Sequence, residues 1–124
     1  MGKNVVIAGC RTYSNYEEAK AFIASCLMEY ENKEQITVLS GGCKGADLLG
    51  ERFAKENGFI IKRYLPDWKK YGKAAGPIRN KQMVDACQKV ICFWDGKSRG
   101  TASLIQYAKK SAKKVDIKLI YQNI

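Results

Sequence analysis

Tyr64-Leu65-Pro66-Asp67-Trp68-Lys69-Lys70-Tyr71-Gly72-Lys73-Ala74-Ala75-Gly76-Pro77-Ile78-Arg79-Asn80-Lys81-Gln82-Met83 joins the end of an apolar run, Phe59–Leu65, to the start of a helical pattern. Strand, loop and helix in that order are the repeating unit of an α/β fold. Pro77 suits the first helical position, where its fixed φ fits and its missing N–H is not needed. Gly76 before it allows a sharp turn and close approach to a ligand. Arg79 then falls in the first helical turn, where free N–H groups and the helix dipole favour an anion. With Trp68, Tyr71, Lys69, Lys70 and Lys73 in the same loop, the stretch has the chemistry of a phosphate and base pocket.

The same unit recurs on either side. Asn4–Ala8 is a short apolar run ending in Gly9, and Ile36–Ser40 is a second, followed at once by Gly41. Lys89–Trp94 and Val115–Tyr121 supply a fourth and a fifth strand. Between them Tyr16, Ala19, Ile23, Cys26, Leu27 and Tyr30 recur at helical spacing, entered by a capping-box pair, Asn15 and Glu18. Ala46, Leu49, Phe53 and Ala54 mark a second helix stopped by Gly58, and a third runs from Pro77 to about Cys87. Leu104, Ile105, Ala108 and Ala112 mark a fourth. Apolar strands alternating with helices predict a mainly parallel five-stranded sheet, buried on both faces, in a Rossmann-like three-layer sandwich. The 124 residues form a single domain, 1–124, with no internal repeat or linker.

In such a sheet ligands bind beyond the strand C-termini. Four informative loops follow strand ends: 9–15, 41–47, 66–77 and 95–101. Gly41-Gly42-Cys43-Lys44-Gly45 either cradles a phosphate with its N–H groups or forms a tight turn. It is neither a P-loop nor a Gly-x-Gly-x-x-Gly dinucleotide motif. Asp47 caps the following helix or bonds a ribose hydroxyl. Gly96, Ser98, Gly100 and Thr101 make a second glycine-containing helix entry, with Arg11 and Arg79 as phosphate partners. Trp68 and Tyr71 are candidates to stack on a base, whereas Trp94 at a strand end belongs to the core. Asp47, Asp67 and Asp95 are the acids near this face, and Asp95 and Asp47 are the candidates for glycosidic chemistry. Their scarcity favours binding over catalysis.

Composition sets outer limits. The chain is 46% apolar and 27% charged, which suits a globular domain. It contains no histidine, and its five cysteines include no Cys-x-x-Cys, so neither a structural zinc site nor histidine-based catalysis is expected. Cys26, Cys87 and Cys92 lie in apolar patterns as buried thiols, while Cys10 and Cys43 fall in loops that bring them together as a candidate redox pair. The net charge of +10 attracts polyanions, from nucleotides to nucleic acid. No stretch is apolar enough to span a membrane and the first residues lack a leader pattern, so a cytoplasmic protein is expected.

Together these motifs resemble the SLOG superfamily of Smf/DprA and LOG proteins, in particular its small YspA-like branch. The resemblance rests on Gly9-Cys10-Arg11, Gly41–Asp47, Pro66-Asp67-Trp68, Tyr71–Asn80, Met83, and Phe93–Gly96 with Ser98, Gly100 and Thr101. It implies a Rossmann-like fold with a nucleotide-derived ligand, no further cofactor or metal, and a homodimer or higher assembly. The site it implies comprises Gly9, Arg11, Gly41, Gly42, Lys44, Gly45, Asp47, Trp68, Tyr71, Lys73, Arg79, Asn80, Asp95, Gly96, Ser98, Gly100 and Thr101. LOG relatives cleave the N-glycosidic bond of nucleoside monophosphates. Their Arg-Lys-x-x-Met falls on Arg79–Met83, but their catalytic glutamate falls on Leu104, so a hydrolase would have to use Asp95 or Asp47. The DprA branch binds single-stranded DNA through surfaces and domains larger than this chain.

Overall fold

Val5-Val6-Ile7-Ala8 is apolar at every position, and it lies in the middle of the sheet with helices against both faces. The computed structural model describes residues 2–31 and 35–120. The elements run β1 (Lys3–Gly9), α1 (Tyr16–Cys26), β2 (Ile36–Ser40), α2 (Ala46–Glu56), β3 (Ile60–Arg63), α3 (Trp68–Tyr71), a 3-10 turn (Gly72–Ala74), α4 (Ala75–Asp85), β4 (Lys89–Trp94), α5 (Arg99–Lys110) and β5 (Lys114–Leu119). Among the described residues the sheet has five strands in the order β3-β2-β1-β4-β5, all parallel. The chain winds outward from β1 to one side, then returns beside it as β4. That reversal creates a crevice at the C-terminal ends of β1 and β4.

Alternation of side chains fills both layers. Val5, Ile7, Ile91 and Phe93 pack with Ala19, Ile23, Phe53 and Ala54 of α1 and α2. Val6, Ala8, Val90 and Cys92 pack with Met83, Val84, Leu104, Ile105 and Ala108 of α4 and α5. The edge strands differ from the expectation of burial on both faces. In β3 no residue is fully buried and Ile60 is exposed, while β5 is half-buried along its middle. An edge strand has a neighbour on one side only, which leaves its outer side chains in water. Tyr121, expected to close the last strand, lies outside the described residues.

Caps explain most helix boundaries. The Asn15 side chain accepts from the Glu18 N–H at 3.1 Å, but the reciprocal arm of a capping box is absent. The Glu18 carboxylate instead accepts from the Tyr13 hydroxyl at 2.6 Å. At the end of α2 the Phe59 N–H returns to the Ala54 carbonyl at 2.8 Å around Gly58, closing a Schellman motif. α1 stops at Cys26, short of Tyr30.

The stretch 66–77 departs furthest from expectation. Asp67 accepts the Lys70 N–H at 3.1 Å and starts α3, so most of the predicted loop is helical. α4 begins at Ala75, which puts Pro77 third and not first, still within the turn whose N–H groups need no helical partner. Arg79 therefore sits beyond the first turn. Gly76 is inside the helix, and the chain turns at Gly72, with φ of 55°.

Candidate functional site

The crevice between β1 and β4 is a cavity of about 350 Å³. Four segments meet there: the loop after β1, the loop into α2, the middle of α4, and the loop into α5. The segment after β1 approaches its neighbours closely. A Cβ on Gly9 would lie 2.2 Å from the Phe93 carbonyl oxygen, and the Cys10 N–H donates to that same carbonyl at 3.0 Å. A Cβ on Gly45 would lie 2.4 Å from the carbonyl oxygens of Cys10 and Arg11, and Gly45 holds a φ of 84°. Only glycine fits there.

That contact changes the meaning of the Gly41–Gly45 segment. The Gly42 N–H donates to Ser40 Oγ at 3.0 Å, the Cys43 N–H to Asp47 Oδ2 at 3.2 Å, and the Ala46 N–H to the Cys10 carbonyl at 3.1 Å. Three N–H groups suited to a phosphate are thus bonded within the chain, and Gly41, Gly42, Lys44 and Gly45 do not line the cavity. Here the glycines serve the turn and the backbone crossing.

Asp47, 6% exposed, lines the cavity from the first turn of α2 without acting as its N-cap. Burial raises its pKa to about 6, against the opposing Cys43 N–H bond and the charge of Arg79. Arg79, 8% exposed, is held by its own bonds: Nη1 donates to the Gly41 carbonyl at 2.8 Å and to the Tyr64 carbonyl at 3.2 Å, and Nε to Asn80 Oδ1 at 2.8 Å. It ties the ends of β2 and β3 to α4 and forms one wall of the cavity. A Cβ on Gly41 would meet both Arg79 Nη1 (2.6 Å) and Asp47 Oδ2 (2.7 Å).

On the opposite wall, Asp95 Oδ1 accepts the N–H groups of Lys97 and Ser98, each at 2.8 Å. Those bonds hold the Asp95 carboxyl below its ordinary pKa. Trp94 fastens the same loop by donating from Nε1 to the Ser98 carbonyl at 3.1 Å, and it packs on both core layers as expected. Ser98 is the N-cap of α5, but its side chain does not bond the helix N–H groups. Its Oγ faces Thr101 Oγ1 at 3.4 Å. The first turn of α5 thus opens towards the cavity without an internal cap, beside the exposed side chain of Arg11.

Of the expected residues, Gly9, Arg11, Asp47, Arg79, Asn80, Asp95, Ser98, Gly100 and Thr101 line this cavity together. Trp68, Tyr71, Lys73 and Gly96 do not. Tyr71 instead lines a second hollow of about 200 Å³ between α3 and α4, which shares Arg79 with the first. Trp68 and Lys73 are exposed outside both. The reading for ligand contacts passed over Ala8 and Thr12. Their places, Ala8 near the end of the first strand and Thr12 in the loop after it, carried the only sequence signal. Cys10, Cys43, Met83 and Leu104 also line the cavity. All five cysteines are free thiols, and burial raises the pKa of Cys10, with Asp95 alongside. Leu104, 3% exposed, gives the floor an apolar surface. Among the described residues no group of acidic or cysteine side chains could hold a metal ion, and no helix is long and apolar enough to cross a membrane.

Similar proteins share this frame. A family model described as YAcAr, the YspA, cpYpsA-related SLOG family, matches residues 3–71. The gene 61 protein of Mycobacterium phage D29 is 31% identical over 115 residues, 88% of this chain and 90% of that protein. Among solved structures, DNA processing protein A from Streptococcus pneumoniae superposes with a TM-score of 0.72 at 19% identity over the whole of this chain. This chain spans about half of that one, 52%. The structural-genomics target TM1055 superposes with a TM-score of 0.64 at 22% identity, over 93% of this chain and 72% of its own. At these identities the two structures speak for the Rossmann-like fold.

Proposed function

Because this chain belongs to the YspA, cpYpsA-related SLOG family, we propose that it binds a nucleotide-derived small molecule in the crevice between β1 and β4. The observation that carries this reading is the open first turn of α5. Its N–H groups and the Thr101 hydroxyl face a cavity bordered by Arg11, which is the arrangement an anionic phosphate requires. The cavity, at about 350 Å³, is of the size that takes a nucleotide-sized ligand. Arg79 supports the site chiefly by holding its wall. Leu104, Met83 and Ala8 offer an apolar face to sugar or base.

The reading prefers retention to turnover. Asp95 is committed to the loop N–H groups, and Leu104 cannot activate water. A second reading, a nucleotide N-glycosidase, draws support from Asp47, whose raised pKa suits a proton donor inside the cavity. Native mass spectrometry with nucleoside monophosphates and ADP-ribose, followed by a scan for released base, separates the two. Intact retained ligand, bound more weakly by Arg11→Ala and Thr101→Val, is the expected outcome. Released base that disappears in Asp47→Asn would replace binding by hydrolysis. The absence of any retained or cleaved nucleotide would defeat both.

A further inference from the structure

Among the described residues β3 is one of the two edges of the sheet, so alternate backbone groups along it have no strand to bond. The Tyr64 N–H donates to the Ser40 carbonyl at 2.8 Å, which turns Tyr64, and with it Lys62 and Ile60, towards β2. The N–H and C=O groups of Ile61 and Arg63 therefore point away from the sheet. Beside them Ile60 and Leu65 are 63% and 68% exposed. Leu65 also lines the hollow of about 200 Å³ between α3 and α4, with Tyr71, Ala75 and Ile78. An open strand edge with large apolar side chains in water is a template for a further strand.

Charge decides what that strand is. Lys62 stands on the edge itself, with Lys69 and Lys70 on α3 beyond it, and none of the three has a carboxylate within 4 Å among the described residues. Arg63 differs, being held by Glu51 at 2.6 Å. Asp67 does not neutralise the lysines, since its carboxylate accepts the Lys70 N–H at 3.1 Å. The other edge is already balanced: on β5, Lys114 pairs with Glu29 at 2.8 Å and Asp116 with Lys89 at 3.1 Å. A second copy on β3 would set the same lysines against each other in a chain of net charge +10. A nucleic-acid strand would meet the lysines, but its backbone has no amides to form a ladder with Ile61 and Arg63. An acidic peptide supplies both the charge and the ladder. We propose that the outer edge of β3 binds an extended acidic segment of a partner protein as a sixth strand, with one apolar side chain of that segment entering the α3–α4 hollow. This edge lies outside the crevice, apart from the wall shared at Arg79, and its use does not depend on what the crevice holds.

The test is fluorescence anisotropy of the full chain with a labelled peptide of alternating glutamate and valine, joined to amide exchange followed by NMR. Saturable binding is expected, and exchange at the Ile61 and Arg63 amides is expected to slow when the peptide is bound. Lys62→Glu/Lys70→Glu, at two exposed positions, is expected to weaken binding about tenfold. Methylating alternate peptide nitrogens leaves the protein itself untouched. In the register that faces β3 it is expected to weaken binding about tenfold, and in the other register to leave most of the affinity. No saturable binding, equal affinity for a peptide with lysine in place of glutamate, or unchanged exchange at Ile61 and Arg63 would overturn the proposal. Equal affinity of the two methylated peptides would do the same, because it would remove the ladder. Displacement of the peptide by an oligothymidylate as readily as by unlabelled peptide would give the surface to a nucleic-acid strand. Sedimentation showing a dimer of the chain alone that the peptide dissolves would give the edge to a second copy.

Discussion

Replacing Asp47 by Asn tests the electrostatics of the cavity directly, because the substitution keeps the shape and an oxygen to accept the Cys43 N–H. Moving a carboxyl from its ordinary 3.8 to about 6 corresponds to about 3 kcal/mol, at about 1.4 kcal/mol per pH unit. The sign follows from proton binding. Between those two values the folded state holds the proton more tightly than the unfolded chain, so this group's contribution to stability falls as pH rises. It is present in full below about pH 4 and lost above about pH 6. Asn cannot ionise. Wild type and Asp47→Asn should therefore be nearly equal near pH 4, and the variant should gain up to about 3 kcal/mol by pH 7.5. Urea unfolding followed by tryptophan fluorescence at both pH values measures the difference, and groups that titrate alike in both proteins cancel. A variant less stable than wild type at pH 7.5 would refute the reasoning. It would mean that Arg79 and the Cys43 N–H stabilise the carboxylate by more than burial penalises it.

Further substitutions probe other parts of the frame. Gly45→Ala forces a Cβ against the Cys10 and Arg11 carbonyls at a positive φ, and should lower unfolding free energy by at least about 2 kcal/mol, seen as a fall in Tm. Lys89, 2% exposed, donates to the Cys26 carbonyl at 2.7 Å and pairs with Glu29 and with Asp116, the latter at 3.1 Å. Lys89→Met should cost about 1–3 kcal/mol in urea unfolding, less than a fully buried pair because both acids are partly in water. Arg11→Ala, at an exposed side chain, should leave Tm within experimental error yet weaken nucleoside monophosphate binding about tenfold by calorimetry.

The parallel sheet was legible because each strand carries its own apolar run, and Ile36–Ser40 and Lys89–Trp94 match the observed strands end for end. The Asn15 cap and the Gly58 stop were local signals and held. The first helical turn expected at Pro77 did not, because Asp67 acts as a cap three residues before Lys70 and draws the preceding residues into helix. In the sequence Asp67 stands out as one of three acids near the strand ends, and nothing beside it marks it as a cap. At the site, the strand ends that converge were readable from alternation alone. What the Gly41–Ala46 N–H groups bond was not, since the acceptor for Ala46, the Cys10 carbonyl, lies more than thirty positions away in sequence. Separation in sequence likewise conceals the role of Arg79, whose carbonyl acceptors, Gly41 and Tyr64, lie 38 and 15 positions away.

The central position of β1 beside β4 also dictates the order in which the chain matures. β1 is synthesised before the other four described strands, yet its pairing with Val90, Ile91 and Cys92 waits until the β2–α4 segment has been made. The Asn4 N–H meets the Gln88 side chain across 84 positions at 2.6 Å. Closing so long a loop is entropically expensive, and it comes late. A nascent chain can pair β1, β2 and β3 before then, but it has no floor and no α5 wall for the crevice. Ligand capture should thus begin only when β4 and α5 have left the ribosome, so that binding reports that the two halves of the sheet have met.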